Sequence, residues 1–127
     1  MKDRLLDKAV KAYGKNRGRY EYDNALNGYF SAYYKGEEVY VVVRVVDAEK
    51  KQVKPGVTEV AGRPMYVVCT EPGEFGDGNI EGIMNIDLDE LQDMLLDDEF
   101  CGGIIFNPWT AGFVVSREMI DEANKIY

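Results

Sequence analysis

The stretch Gly102-Gly103-Ile104-Ile105-Phe106-Asn107-Pro108-Trp109-Thr110-Ala111-Gly112-Phe113-Val114-Val115-Ser116 decides the fold of this chain. Gly102 to Phe106 ends in three large apolar residues and reads as a buried strand. Asn107 to Gly112 collects Asn, Pro, Thr and Gly and reads as a turn. Phe113-Val114-Val115 then returns antiparallel to the first strand. Ser116 stands where a helix N-cap belongs, with Glu118 in the following first turn and Met119, Ile120, Ala123 and Tyr127 as the packing face. A strand pair feeding directly into a helix is the signature of a sheet with helices laid on it.

Working upstream, Ile83 to Ile86 is a short strand that runs into Asp87-Leu88-Asp89-Glu90. That tetrad has the D-x-x-E arrangement of a capping box, and its acids suit the positive end of a helix dipole. Leu88, Leu91, Met94 and Leu95 form the buried face of a helix running to about Asp98. Val39 to Val46 is nearly continuous β-branched sequence, which predicts a central strand buried on both faces. Met65 to Cys69 is a further strand. The charged run Asp47 to Lys54 ends in Pro55-Gly56 and reads as a protruding hairpin or loop. Glu71 to Gly82 holds four glycines among acids and reads as an exposed loop. At the N-terminus, Leu5, Leu6, Ala9, Val10 and Tyr13 make one apolar helical stripe that stops at Gly14. Asp23 is placed to cap a second helix with inner face Leu26, Tyr29, Phe30 and Tyr33, closed by Gly36, while the aromatic density of Tyr29 to Tyr34 also suits a strand. The expected order is α-(α)-β-β-β-α-β-β-α: an α+β domain with a five-stranded mixed sheet and helices packed on it.

The chain has 127 residues, the length of a single domain spanning 1–127. Hydrophobic residues make up 46% and charged residues 30%, which places it with soluble globular proteins. It contains no histidine. That removes Ser-His-Asp and Cys-His catalysis and His-based zinc sites. Val39-Tyr40-Val41-Val42-Val43, the longest apolar run, is cut by Arg44 far short of the ~20 residues that span a bilayer. Acids interrupt the N-terminus where a signal peptide would be basic and then apolar. Cys69 and Cys101 sit in apolar surroundings and read as small buried hydrophobes of a reduced, cytoplasmic protein.

Charge is unevenly placed. The formal net charge is -8, yet residues 1–19 carry seven basic and two acidic side chains, a local +5. Between Arg63 and Arg117 there are eleven acids and no lysine or arginine. Such a balance argues against nucleic acid as a partner, and Lys15-Asn16-Arg17-Gly18-Arg19-Tyr20 is too small a patch to offset it. The acidic face and basic first helix fit a solvated surface; alternatively, the basic helix docks on an acidic body and competes with a basic partner.

Other constellations fail on chemistry. Asp77-Gly78-Asn79-Ile80-Glu81-Gly82 copies the first half of an EF-hand loop, but Leu88 stands where the closing bidentate Glu belongs. The same glycines bring acids and no lysine, so they make no phosphate cradle. Asp87, Asp89, Glu90 and Asp93 lie on the first turn and solvent side of a helix, where capping accounts for them better than acid–base work. Neither cysteine has a basic setting that would favour a thiolate. No catalytic residue, metal site or cofactor is expected. Asn107, Pro108 and Trp109 form the candidate interaction surface. Asn107 and Pro108 have a sufficient structural reading: proline holds the preceding residue extended, and an Asn side chain bonds backbone around a turn. Trp109, the only tryptophan, either folds over the core or stands out as an anchor.

Ile83-Met84-Asn85-Ile86-Asp87-Leu88-Asp89-Glu90-Leu91, Gly103-Ile104-Ile105-Phe106-Asn107-Pro108 and Val114-Val115-Ser116-Arg117-Glu118-Met119-Ile120 together resemble the N-terminal domain of the SseB (enhanced serine sensitivity) family. Its pattern is a strand feeding a helix, an apolar strand ending in Asn-Pro, and a serine-capped last helix. Where the family usually has Phe-Thr-Ser or similar after its second strand, this chain has Val68-Cys69-Thr70-Glu71. The resemblance implies an α+β fold and a bacterial intracellular protein with no assigned enzyme activity. The reading that follows is a non-enzymatic module with a protein partner. The alternative is a small-ligand-binding or sensing domain with a pocket near Trp109.

Overall fold

The computed structural model describes residues 5–76 and 80–126. The elements, in chain order, are α1 (Leu5–Lys15), α2 (Arg19–Lys35), β1 (Glu38–Asp47), β2 (Gln52–Pro55), β3 (Val57–Val60), β4 (Arg63–Cys69), a single 3-10 turn at Pro72–Glu74, β5 (Gly82–Asp87), α3 (Leu88–Asp97), β6 (Gly103–Phe106), β7 (Phe113–Ser116) and α4 (Arg117–Ile126). The fold is α+β with a mixed sheet. All five predicted strands are present, as β1, β4, β5, β6 and β7, and two more make the sheet seven-stranded.

The two extra strands come from residues 52–60: of the two readings of the charged run, hairpin or loop, the structure has the hairpin, with β2 as its second strand, and β3 follows Gly56. Pro55 ends the β1–β2 hairpin, and Gly56 is the kink from which the chain enters β3. β2 pairs antiparallel with β1, and β3 pairs antiparallel with β4. On the same edge β1 and β4 pair directly with each other only at Tyr40–Cys69 and Val41–Val68, so the chain through β2 and β3 wedges them apart. β5 takes the other edge of β1, and β6 lies parallel to β4. β2 has one partner strand only, which leaves Pro55 without a ladder bond to lose.

Helices cover one face of this sheet. Leu6 and Val10 of α1, Tyr29 of α2, Leu88, Leu91 and Leu95 of α3 and Ile120 of α4 pack with Val41, Val68, Phe106 and Phe113 in one core. On the opposite face Met65, Val67 and Ile105 form a smaller cluster with strand neighbours alone. This asymmetry corrects the expectation for β1. It is central, but it alternates: Val39, Val41 and Val43 are buried, while Tyr40 and Val42 are half-buried and Arg44 to Val46 exposed.

Helix ends show what short-range rules capture. Gly36 closes α2 in a left-handed conformation (φ 65°), with the Gly36 and Glu37 amides donating to the carbonyls of Tyr33 and Ala32. Ser116 Oγ accepts from the Met119 amide at 3.3 Å, the expected cap of α4. Two caps are corrected. Asp23 lies inside α2, whose N-cap position is Gly18, because Arg19 to Tyr22 already propagate the helix. Asp87 holds the N-cap position of α3 without a side-chain cap bond. There the Leu88 amide donates to the Glu37 carbonyl at 2.9 Å instead, since β5 runs straight into the helix beside β1.

Candidate functional site

The turn between β6 and β7 is built on Asn107, which is 0% exposed. Its φ is +51°, so proline does not hold it extended as expected. Asn is among the few residues that tolerate the left-handed region, and its hydrogen bonds compensate the strain. The Asn107 amide donates to the Val68 carbonyl at 2.8 Å, and its own carbonyl accepts from the Thr110 and Gly112 amides. The side chain reaches across to the end of β4: Oδ1 accepts from the Thr70 amide at 3.0 Å, and Nδ2 donates to Thr70 Oγ1 at 3.1 Å.

From Thr70 the network turns outward. Its hydroxyl donates to Asp7 of α1. Lys11, one helical turn further, lies 3.1 Å from Asp7 and donates to Glu71 at 2.7 Å, with Glu74 at 3.7 Å. Glu74 accepts from the Thr110 hydroxyl at 2.9 Å, which returns the network to the turn. Arg17 adds a bond to the Thr110 carbonyl at 3.1 Å. The basic first helix therefore docks on acids of its own chain. Glu71 and then Asp7, by hydrogen bonding, raise the Lys11 ammonium above its ordinary value.

Trp109 sits outside this network and is 39% exposed. Its ring meets Phe75 at a centroid distance of 6.0 Å and packs closely on Gly76, where an added Cβ would fall 2.3 Å from Trp109 Cδ1. It neither enters the core nor projects freely: it is held against Phe75 and Gly76 and remains partly open to solvent. Pro108 beside it is half-buried. Of the predicted site residues, Pro108 and Trp109 reach the surface and Asn107 works from beneath. Sequence reading missed Thr70, Asp7, Lys11, Glu71 and Glu74, whose pairing across sixty residues or more carries no local pattern.

Reactive groups elsewhere are quiet. Cys69 and Cys101 are buried free thiols. Burial, with Glu74 in support, pushes Cys69 up to about 12, and burial raises Cys101 too, so neither is a thiolate near neutrality. Asp87 is half-buried, and Asp89, Glu90 and Asp93 are exposed along α3. The first three residues of the half-EF-hand Asp77–Gly82 lie outside the described residues. No group of three or more acids or cysteines among the described residues is placed to hold a metal ion. No helix among them is long and apolar enough to cross a membrane. Grooves lie between α1 and α2, between α2 and α4, at the end of α3 beside Phe100, and at the kink of β2 and β3, and Trp109 lines none of these.

The chain matches no family model, no curated protein sequence and no solved structure.

Proposed function

We propose that this chain is a non-enzymatic, cytoplasmic domain of the SseB type that works by binding a partner protein. The contact surface is Trp109 with Pro108 and Phe75, rimmed by Glu71 and Glu74. The observation that carries this reading is the way Trp109 is held. A half-exposed tryptophan clamped on Gly76 above a hydrogen-bonded turn loses little side-chain entropy when a partner covers it. Lys11, seated among Asp7, Glu71 and Glu74, shows how a basic partner side chain would be received there. High charge beside an aromatic anchor gives rate and selectivity more than raw affinity.

The test is capture from native lysate by wild type and by Trp109→Ala, at about 0.05 and 0.5 M salt. One protein retained near stoichiometrically by wild type, lost with Trp109→Ala and weakened at high salt, supports the reading. An identical set of captured proteins for both forms, with circular dichroism showing both folded, overturns it.

A further inference from the structure

The kink at Gly56 opens a second place where the chain can receive a molecule. Gly56 donates its amide to the Val42 carbonyl at 2.7 Å and accepts from the Val67 amide at 3.3 Å, tying β1 and β4 together at one point. Beyond it, β2 pairs with β1 alone and β3 with β4 alone, so two hairpins fork. A groove of about 330 Å³ lies in this fork, and the segment between α3 and β6 closes it.

Its walls are chemically unlike. On one, Arg44 and Lys54 are direct cross-strand partners. Like charges placed opposite each other in an antiparallel pair repel. Among the described residues neither cation has an ion pair. The one acid in the groove does not serve them. Asp98 accepts from the Tyr66 hydroxyl at 3.1 Å through Oδ2 and from the Phe100 amide at 3.1 Å through Oδ1. The other wall is apolar, formed by Val57, Tyr66 and Phe100. Phe100 is 80% exposed, a large ring at the mouth of the groove.

We infer that the fork binds a small aromatic anion, a single ring carrying a phosphate or carboxylate. The anion lies between Arg44 and Lys54 and cancels their repulsion, and the ring packs on Phe100 and Val57. A guanidinium offers paired donors to such an oxyanion, and the ammonium adds a point charge. The volume is at the low end of the ~300–1,000 Å³ typical of small-molecule sites, which suits one ring and excludes a dinucleotide. This site is separate from the Trp109 surface and stands whether or not that surface has a partner.

The experiment is amide NMR titration of the intact chain with phenyl phosphate, benzoate, inorganic phosphate and phenol. The expected result is saturable shifts at Arg44, Lys54, Val57 and Phe100 with phenyl phosphate or benzoate, and weaker binding of inorganic phosphate and phenol. Preference between the first two identifies the anion. Arg44→Gln/Lys54→Gln should lower the affinity about tenfold or more, and raised salt should weaken binding to wild type. Phe100→Ser, at an exposed position, should weaken phenyl phosphate and leave inorganic phosphate unchanged. Absence of saturable shifts at the fork with either aromatic anion overturns the proposal, as does undiminished affinity in the doubly substituted, folded chain.

Discussion

Asn107 joins three jobs in one side chain: it accepts a left-handed backbone, ends β6 and bolts the turn to Thr70. Those jobs can be separated by substitution. Asn107→Ala keeps the strained backbone without a residue suited to it and leaves the buried Thr70 amide unpaired. The two losses together should cost about 2–4 kcal/mol. Asn107→Gly removes the side-chain bonds but relieves the backbone, so it should be destabilised by about 1–2 kcal/mol less. Urea unfolding midpoints of the three proteins decide this. Equal loss for Ala and Gly would show that conformation contributes nothing at this position. Sequence made Asn107 legible as a structural residue through its place before proline at a turn. Its conformation was not legible, because the hydrogen bonds that override the proline preference come from β4, nearly forty residues away.

At the scale of elements, α3 has acids in its first turn and no basic residue in its last. The missing cation is supplied from elsewhere by Arg117, the first residue of α4. Its guanidinium donates to the carbonyls of Leu95 (3.0 Å), Leu96 (2.9 Å), Asp98 (2.7 Å) and Cys101 (3.3 Å), around the carboxyl end of the helix. One planar fork thereby gathers the carbonyls around the helix end, of which Leu95 and Asp98 also accept from the Asp98 and Cys101 amides. Arg117→Leu should cost about 2–3 kcal/mol, and Arg117→Lys should recover less than half, since a point charge cannot span that arc. Hydrogen exchange should then quicken in residues 94–101 while α1 stays protected. Uniform loss of protection across the chain would instead mean that Arg117 supports only global stability. Local rules read α3 well from Leu88, Leu91 and Leu95, but a cap delivered across twenty residues leaves no local trace. The run before Pro55-Gly56 was legible as a hairpin or a loop, and β2 makes it the hairpin. Val57 to Val60 is only four residues and follows Pro55-Gly56 directly, so its strand was not read, and the edge of β4 makes it one. The Trp109 turn was legible as a turn and as the place of a tryptophan. The acids and lysine around it were not, since α1 and the 71–74 segment supply them from some sixty residues apart.

For the molecule as a whole, burial has one consistent effect on its weak acids. The Cys69 thiol is held up to about 12, and burial likewise raises Cys101 and the phenols of Tyr22, Tyr29 and Tyr66. Tyr29 donates to Gln92 at 2.6 Å in the core, a bond available only to the protonated phenol. In the unfolded chain thiols ionise above about 9 and phenols above about 10, while the folded chain keeps these protons. The native state then binds more protons than the unfolded one, and stability falls as pH rises. The fall should begin near pH 9 and steepen past 10, by about 1.4 kcal/mol per pH unit for each fully mismatched group. A chain already at -8 gains further self-repulsion over the same range. Urea unfolding from pH 7 to 11 measures the slope, and two variants assign it. Cys69→Ala removes one buried acid at the cost of a small cavity and should flatten the curve from pH 9 upward. Tyr29→Phe should lose about 1–3 kcal/mol at pH 7 by orphaning the Gln92 carbonyl, yet show a shallower decline above pH 10. Its curve therefore approaches that of wild type at high pH. Parallel curves for all three proteins would mean that alkaline unfolding comes from net charge alone.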